Sequence, residues 1–311
     1  MAHPRRFRFG IQLASAPDAR SWTESARRAE QLGYSTLFVP DHFGDQLAPI
    51  AALAAAATVT TELRVGALVF DNDYRHPLVL AKELATLDLL SDGRVEVGLG
   101  AGWMKSDYDE SGIEFDRAGT RVDRFEEGLQ IVKGLFRPEP FSFAGEHYTI
   151  TDHVGTPRPV QSPPPILIGA GLERMLGIAG RHADIVGINP TIPNGVIDND
   201  AVVNGLAEAT DEKLGWLRAA AGDRYDDLEI NLLNFACIVT DDRAGTAEAF
   251  APAFGLTTDQ LLAFPHALIG TVEEIAESLI ERRERFDASY VVVQLDALET
   301  FAPVVARLAG T

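Results

Sequence analysis

Residues 36–44 read TLFVPDHFG. Thr36 to Val39 has the β-branched and aromatic content of a buried strand. Pro40 ends it, and a carboxylate and an imidazole, Asp41 and His42, follow at once. A polar pair in that place either opens an ordinary loop or stands at the working end of a barrel. The choice depends on how many similar strands the chain holds and how they are connected.

Eight segments share the character of a strand buried on both faces: FRFGIQL (7–13), STLFVP (35–40), LRVGALVF (63–70), VEVGLGAG (95–102), PILIGAG (165–171), DIVGIN (184–189), EINLLNFACIV (229–239) and SYVVVQLD (289–296). They are near-continuous apolar runs, the pattern of parallel strands covered on both sides. The first four begin about 30 residues apart, the length of one βα unit.

Helical patterns lie between them. Ser21 to Glu24 reads as a capping box ahead of a stripe of Trp22, Ala26, Ala29 and Leu32, and Gly33 supplies a left-handed stop. Val122, Phe125, Leu129, Val132 and Phe136 step by three and four. Thr271 to Glu274 forms a second box before Val272, Ile275 and Leu279. Eight strands alternating with helices predict an α/β fold of the (β/α)8 TIM-barrel type, with an open doubly wound sheet as the rival. The chain is expected to form one domain over residues 1–311. Insertions near 137–163, 190–228 and 241–270 then fall after strands 4, 6 and 7, and the first includes a hairpin.

The chain has 311 residues, 46% of them hydrophobic and 23% charged, with a formal net charge of −19. That acidity argues against nucleic-acid binding, which needs a basic face. An anionic ligand would need a local patch to overcome the overall field. There is no apolar run of transmembrane length, and no secretory signal is expected, so a cytoplasmic protein that avoids membranes is the expectation. The lone Cys237 in NFACIVT reads as a small core residue. The helix PIAALAAAATVT (49–60) could cover the barrel or meet another copy, and packing on the barrel is the simpler reading.

In a TIM barrel the active site forms at the C-terminal strand ends. Strand 2 delivers Asp41 and His42 there, and an imidazole beside a carboxylate suits acid/base work. Strand 3 ends in DNDYRHP, where Arg75 either holds an anionic ligand edge or pairs with Asp71 or Asp73. Strand 4 ends in GLGAGW, and Gly98, Gly100 and Gly102 strip one face of side chains. That permits either close approach of a flat ligand or tight internal packing. Strand 5 ends in IGAGLERML, with Gly169 and Gly171 ahead of a helix N-terminus suited to phosphate. Together these ends point to one planar, phosphorylated cofactor across the mouth. No H-E-x-x-H, no H-x-H on strand 1 and no G-x-S-x-G elbow appears, which leaves no sequence support for metal or serine-hydrolase chemistry.

The stretches GYSTLFVPDHF (33–43), DYRHPLVLAKELATLDLLSDGRVEVGLGAGW (73–103) and PPILIGAGLERMLGIAGRHADIVGIN (164–189) resemble the luciferase-like monooxygenase superfamily along the whole chain. Within it, the resemblance is to the branch of oxidoreductases that use the deazaflavin coenzyme F-420. It implies a TIM barrel that binds F-420 or FMN, acts on a small molecule and often forms homodimers. Asp41 and His42 match the strand-2 pair near the reactive ring, with His42 the candidate proton donor or acceptor. Leu68 and Val69 match a bulge with a non-proline cis peptide that supports the ring. Ala101 and Gly102 match strand-4 ligand contacts; Gly169, Gly171 and Leu172 match the phosphate region; Arg75 or Arg181 would offset the anionic cofactor tail. In one respect the chain departs from this branch: its sugar-phosphate dehydrogenases carry a glutamate after the strand-4 glycine, whereas Trp103 stands here. An indole cannot relay that proton, so glucose-6-phosphate is not the expected substrate, and Trp103 reads as an apolar pocket wall. The implied activity is hydride transfer between F-420 and a small organic substrate. The alternatives are an FMN-dependent monooxygenase using oxygen and a non-catalytic flavin-binding barrel.

Overall fold

The computed structural model describes residues 5–192 and 194–311. The expected strands form. In chain order, β1 (Arg8–Gln12), α1 (Ala19–Gln31), β2 (Thr36–Val39), α2 (Pro49–Ala57) and β3 (Arg64–Ala67) build the first units. After a two-residue β4 (Phe70–Asp71) come α3 (Pro77–Leu90), β5 (Val95–Gly100), α4 (Lys105–Ser111) and α5 (Ala118–Leu135). The hairpin β6 (Phe141–Ala144) and β7 (Thr149–His153) precedes β8 (Ile166–Ala170), α6 (Glu173–His182) and β9 (Ile185–Ile188). Next are α7 (Asn199–Val203), α8 (Ala207–Ala221), β10 (Glu229–Leu233), β11 (Ala236–Val239), α9 (Arg243–Phe250) and α10 (Thr258–Leu262). The chain finishes with β12 (Ala267–Gly270), α11 (Val272–Phe286), β13 (Ala288–Gln294) and α12 (Ala302–Leu308).

Strands β1, β2, β3, β5, β8, β9, β10 and β13 pair in parallel, and β3 pairs with β5 to close the ring. Closure disposes of the open-sheet alternative. Burial follows the sequence pattern: every residue of β2, β3's last three positions, β5 and β9 is buried, as expected for strands with helices outside and packed side chains inside. The barrel interior holds Phe38, Leu167, Ile185, Tyr290 and Val292.

At the N-terminal end of the strands, Glu96 takes Arg8, Arg64 and the Tyr290 hydroxyl, while Arg8 also pairs with Glu229. The extra segments lie after β5, β9 and β10, as the spacing predicts. The last of them has its own parallel pair, β11 with β12, over a small core that includes Leu261, Phe264 and Ile269.

Two local readings change. The first helix is capped by Asp18, whose carboxylate accepts from the Ser21 N–H, so it begins a turn before the Ser21 box. The run EINLLNFACIV is two strands. At Asn234 the main chain still donates to Val292 of β13, but the next N–H, of Phe235, donates to His266 beside β12. The Asn234 carboxamide caps the turn by donating to the same Val292 carbonyl. The box at Thr271 and Glu274 forms with both reciprocal bonds. Gly33 takes a left-handed φ of 86° after α1. Cys237 is buried, and burial pushes its thiol up to about 12.

Candidate active site

Past the end of β2, Asp41 and His42 take different partners. The buried Asp41 carboxylate accepts from both terminal nitrogens of Arg75, at 2.5 and 3.0 Å, and from the Asp71 N–H at 3.0 Å. It fastens the strand-2 exit to the strand-3 exit and does not serve as the partner of His42. Arg75 is accordingly spent on Asp41. Burial pulls its basicity down, but the Asp41 pair outweighs that and leaves it raised overall.

His42 finds its carboxylate elsewhere. Its Nδ1 lies 2.6 Å from Oδ2 of Asp107, in the first turn of α4. The same oxygen accepts from the Tyr74 hydroxyl at 2.9 Å, and Oδ1 accepts from the Phe43 N–H at 3.3 Å. Facing a carboxylate, Nδ1 is the donor, so Nε2 is the nitrogen left for chemistry. The Trp103 ring meets the imidazole edge-on, with centroids 5.6 Å apart.

Behind this pair lies a second cluster. Asp73 accepts from Nε and one terminal nitrogen of Arg124 at 2.7 and 2.9 Å, and the other terminal nitrogen donates to Asp116. Asp71 accepts from the Asp73 N–H and the Tyr108 hydroxyl but makes no ion pair among the described residues. Burial, with Asp73 and Asp41 nearby, pushes its carboxyl up to about 7. The Tyr74 and Tyr108 hydroxyls are held well above the usual phenol range by burial and by the Asp71 charge.

The Leu68–Val69 peptide is cis, where the resemblance locates one. The Leu68 carbonyl accepts from Gln12, which in turn accepts from Gln294, so two carboxamides and the partly exposed Leu68 and Val69 pave the mouth.

The glycines of β5 serve packing more than openness. A Cβ on Gly100 would lie 2.6 Å from the Val69 side chain, and one on Gly98 would run into the Ala67 carbonyl. Gly102, at φ 77°, makes room for the Tyr108 hydroxyl. Ala101, Gly102, Trp103 and Gly169 remain partly exposed around the opening. A Cβ on Gly171 would press on the Pro190 carbonyl at 2.7 Å. Leu172 is the N-cap of α6 and offers no capping side chain, leaving the first-turn N–H groups of that helix for another acceptor. Arg181 lies 3.6 Å from Glu126 instead of turning toward that helix start.

The strand ends therefore bring together His42, Trp103, Leu68, Val69, Ala101 and Gly102. Asp107, Tyr74, Gln12 and Gln294 are additions that no spacing singled out. Asp107 sits in the acid-rich KSDYDES, where several carboxylates look alike until the helix is placed. No group of His, Cys, Asp and Glu able to hold a metal occurs among the described residues, and no helix there is long and apolar enough to cross a membrane.

Comparison with known proteins gives a consistent family. The family model described as luciferase-like monooxygenase matches residues 5–244. An F-420-dependent glucose-6-phosphate dehydrogenase from Amycolatopsis mediterranei is 32% identical over 53% of this chain; the match spans only about half, 52%, of that relative's length. An FMNH(2)-dependent dimethylsulfone monooxygenase from Pseudomonas putida is 27% identical over 73% of this chain and 68% of its own. Among solved structures, the coenzyme F-420-dependent tetrahydromethanopterin reductase of Methanopyrus kandleri superposes with a TM-score of 0.78. It is 19% identical, over 98% of this chain and 99% of that one, and so speaks to the fold.

Proposed function

The chain belongs to the luciferase-like monooxygenase family, and from that premise we propose that it is an oxidoreductase passing a hydride between coenzyme F-420 and a small organic substrate. The observation that carries this reading is the His42–Asp107 pair, with Nε2 free at the barrel mouth. An imidazole so held can give a proton to, or take one from, a substrate oxygen while the carboxylate steadies the imidazolium form. Trp103 against its edge keeps water away from that exchange.

The residues present fit a planar, phosphorylated cofactor. Leu68, Val69, Ala101 and Gly102 offer a partly exposed apolar surface, and the carboxamides of Gln12 and Gln294 can serve polar ring edges. The uncapped start of α6, with Gly169 and Gly171 before it, has the donor chemistry for a phosphate. When bound, a deazaflavin supplies a carbon centre that exchanges hydride and reacts poorly with oxygen. The substrate would be small. Trp103 in place of a second carboxylate speaks against sugar phosphates, despite the Amycolatopsis relative.

FMN-dependent oxygenation is the second reading, favoured by the longer match to the Pseudomonas enzyme. Titrating the purified protein with F-420 and, separately, with FMN, followed by fluorescence, tests the choice. Tight F-420 and weak FMN binding supports hydride transfer. FMN preference with oxygen uptake on turnover supports the second reading, and binding of neither removes both.

A further inference from the structure

We propose that the mouth selects an uncharged molecule with an apolar body and a single hydrogen-bonding group, the latter to meet Nε2 of His42. The proposal rests on the functional reading for the choice of His42 as centre, but selection at the rim is measured by binding alone.

Large apolar side chains stand exposed at the ends of strands around the ring: Phe43 after β2, Leu172 after β8, Val196 and Ile197 after β9, Phe235 after β10 and Leu295 after β13. Phe43 is 46% exposed and Ile197 62%. Single exposed apolar residues are ordinary; several on the rim of one opening mark a binding surface. Those nearest the imidazole are linked through the backbone. The Lys105 N–H donates to the Gly195 carbonyl at 3.1 Å, and a Cβ on Gly195 would lie 2.5 Å from the Trp103 carbonyl. That contact lays the segment carrying Val196 and Ile197 beside Trp103, whose ring touches His42.

The charges agree. Three cations near the strand-3 and strand-4 exits are already engaged: Arg75 by Asp41, Lys105 by Asp109, Arg124 by Asp73 and Asp116. An anionic substrate that turned to one of these three would have to break its pair, against a chain of net charge −19. A neutral molecule meets neither obstacle and gains from covering the rim.

The test is calorimetric titration of the protein, with and without F-420, using straight-chain 2-alkanones of increasing length and the matching ω-carboxylated ketones. The expected result is a dissociation constant falling about three- to fourfold per added methylene, with carboxylated partners at least about tenfold weaker. Ile197→Asp and Phe235→Ser, each checked for an unchanged thermal transition, should flatten the dependence on length. A flat series in the wild type, or equal binding of the carboxylated ketones, overturns the proposal. So does a homodimer that Ile197→Asp splits while ketone binding stays unchanged, because the rim would then be a face between copies. A length-dependent series in a protein that binds no F-420 keeps the rim assignment and removes the hydride-transfer reading instead.

Discussion

The two ends of the barrel use the same ingredients to opposite purposes. At the N-terminal end, Glu96 is buried between Arg8 and Arg64, with the Tyr290 hydroxyl on its second oxygen. With Glu229 also on Arg8, the two carboxylates of that cluster balance its two guanidiniums. At the mouth, Asp41 and Asp73 have arginines of their own, while Asp71 has none among the described residues and is pushed up to about 7 by burial and by its acidic neighbours. His42 is held at one nitrogen and free at the other. A saturated cluster closes the ring; an unsaturated one retains a group that can exchange protons. The contrast follows the usual division of a TIM barrel into a stabilising end and a chemical end.

Substitutions can break or sharpen that contrast. The largest effect should come from His42→Ala, which removes the free nitrogen. Turnover should fall by about 10²–10⁴-fold, the usual worth of a positioned acid or base, while the denaturation midpoint stays close to wild type. An unchanged rate would end the role given to His42. Glu96→Gln should do the converse. Removing one partner of a buried ion pair costs about 3–5 kcal/mol, read as a lower denaturant midpoint, with activity per folded molecule retained. Loss of activity without loss of stability would erase the distinction between the ends.

Asp71 gives the comparison a pH dependence. Its folded carboxyl lies at about 7 against an ordinary 3.8. Between those values the folded state holds a proton that the unfolded chain releases, so the stability present below about 3.8 is lost as pH rises to about 7 and levels off above it. At about 1.4 kcal/mol per unit, the change is on the order of 4 kcal/mol. Asp71→Asn should remove most of the stability difference between pH 5 and pH 8 that this group causes, measured by parallel urea titrations. The same pH slope in the variant would refute the assignment.

Smaller effects come next. Asp107→Asn should lower turnover about 10–100-fold, as loss of an orienting histidine partner does elsewhere, and shift the pH–rate profile. A purely scaffolding Asp107 would leave the profile in place. Thr271→Ala lies at neither end and should cost about 1 kcal/mol through the lost cap of α11, with no change in turnover.

The fold was largely legible because parallel barrel strands are buried on both faces, and that demand writes continuous apolar runs into the chain. The errors fell where a run hid a change of partner. EINLLNFACIV is uniformly apolar, yet at Asn234 it leaves β13 for β12, and no periodicity marks the exchange. The glycines of VGLGAG were visible, but their purpose was not: Val69, from the bulge after β3, takes the space at Gly100, while the Ala67 carbonyl and the Tyr108 hydroxyl take it at Gly98 and Gly102.

The sequence by itself determined the barrel, the sites of its insertions and the delivery of His42 to its mouth, since each depends on local pattern and chain order. Only the tertiary structure decided which carboxylate serves His42. Asp41 is its neighbour in the chain, yet Asp41 is taken by Arg75 and the Asp71 N–H, while α4 brings Asp107 from 65 residues away to within 2.6 Å of the imidazole. Partnership across that distance is set by where a helix packs, and a linear pattern carries no record of it.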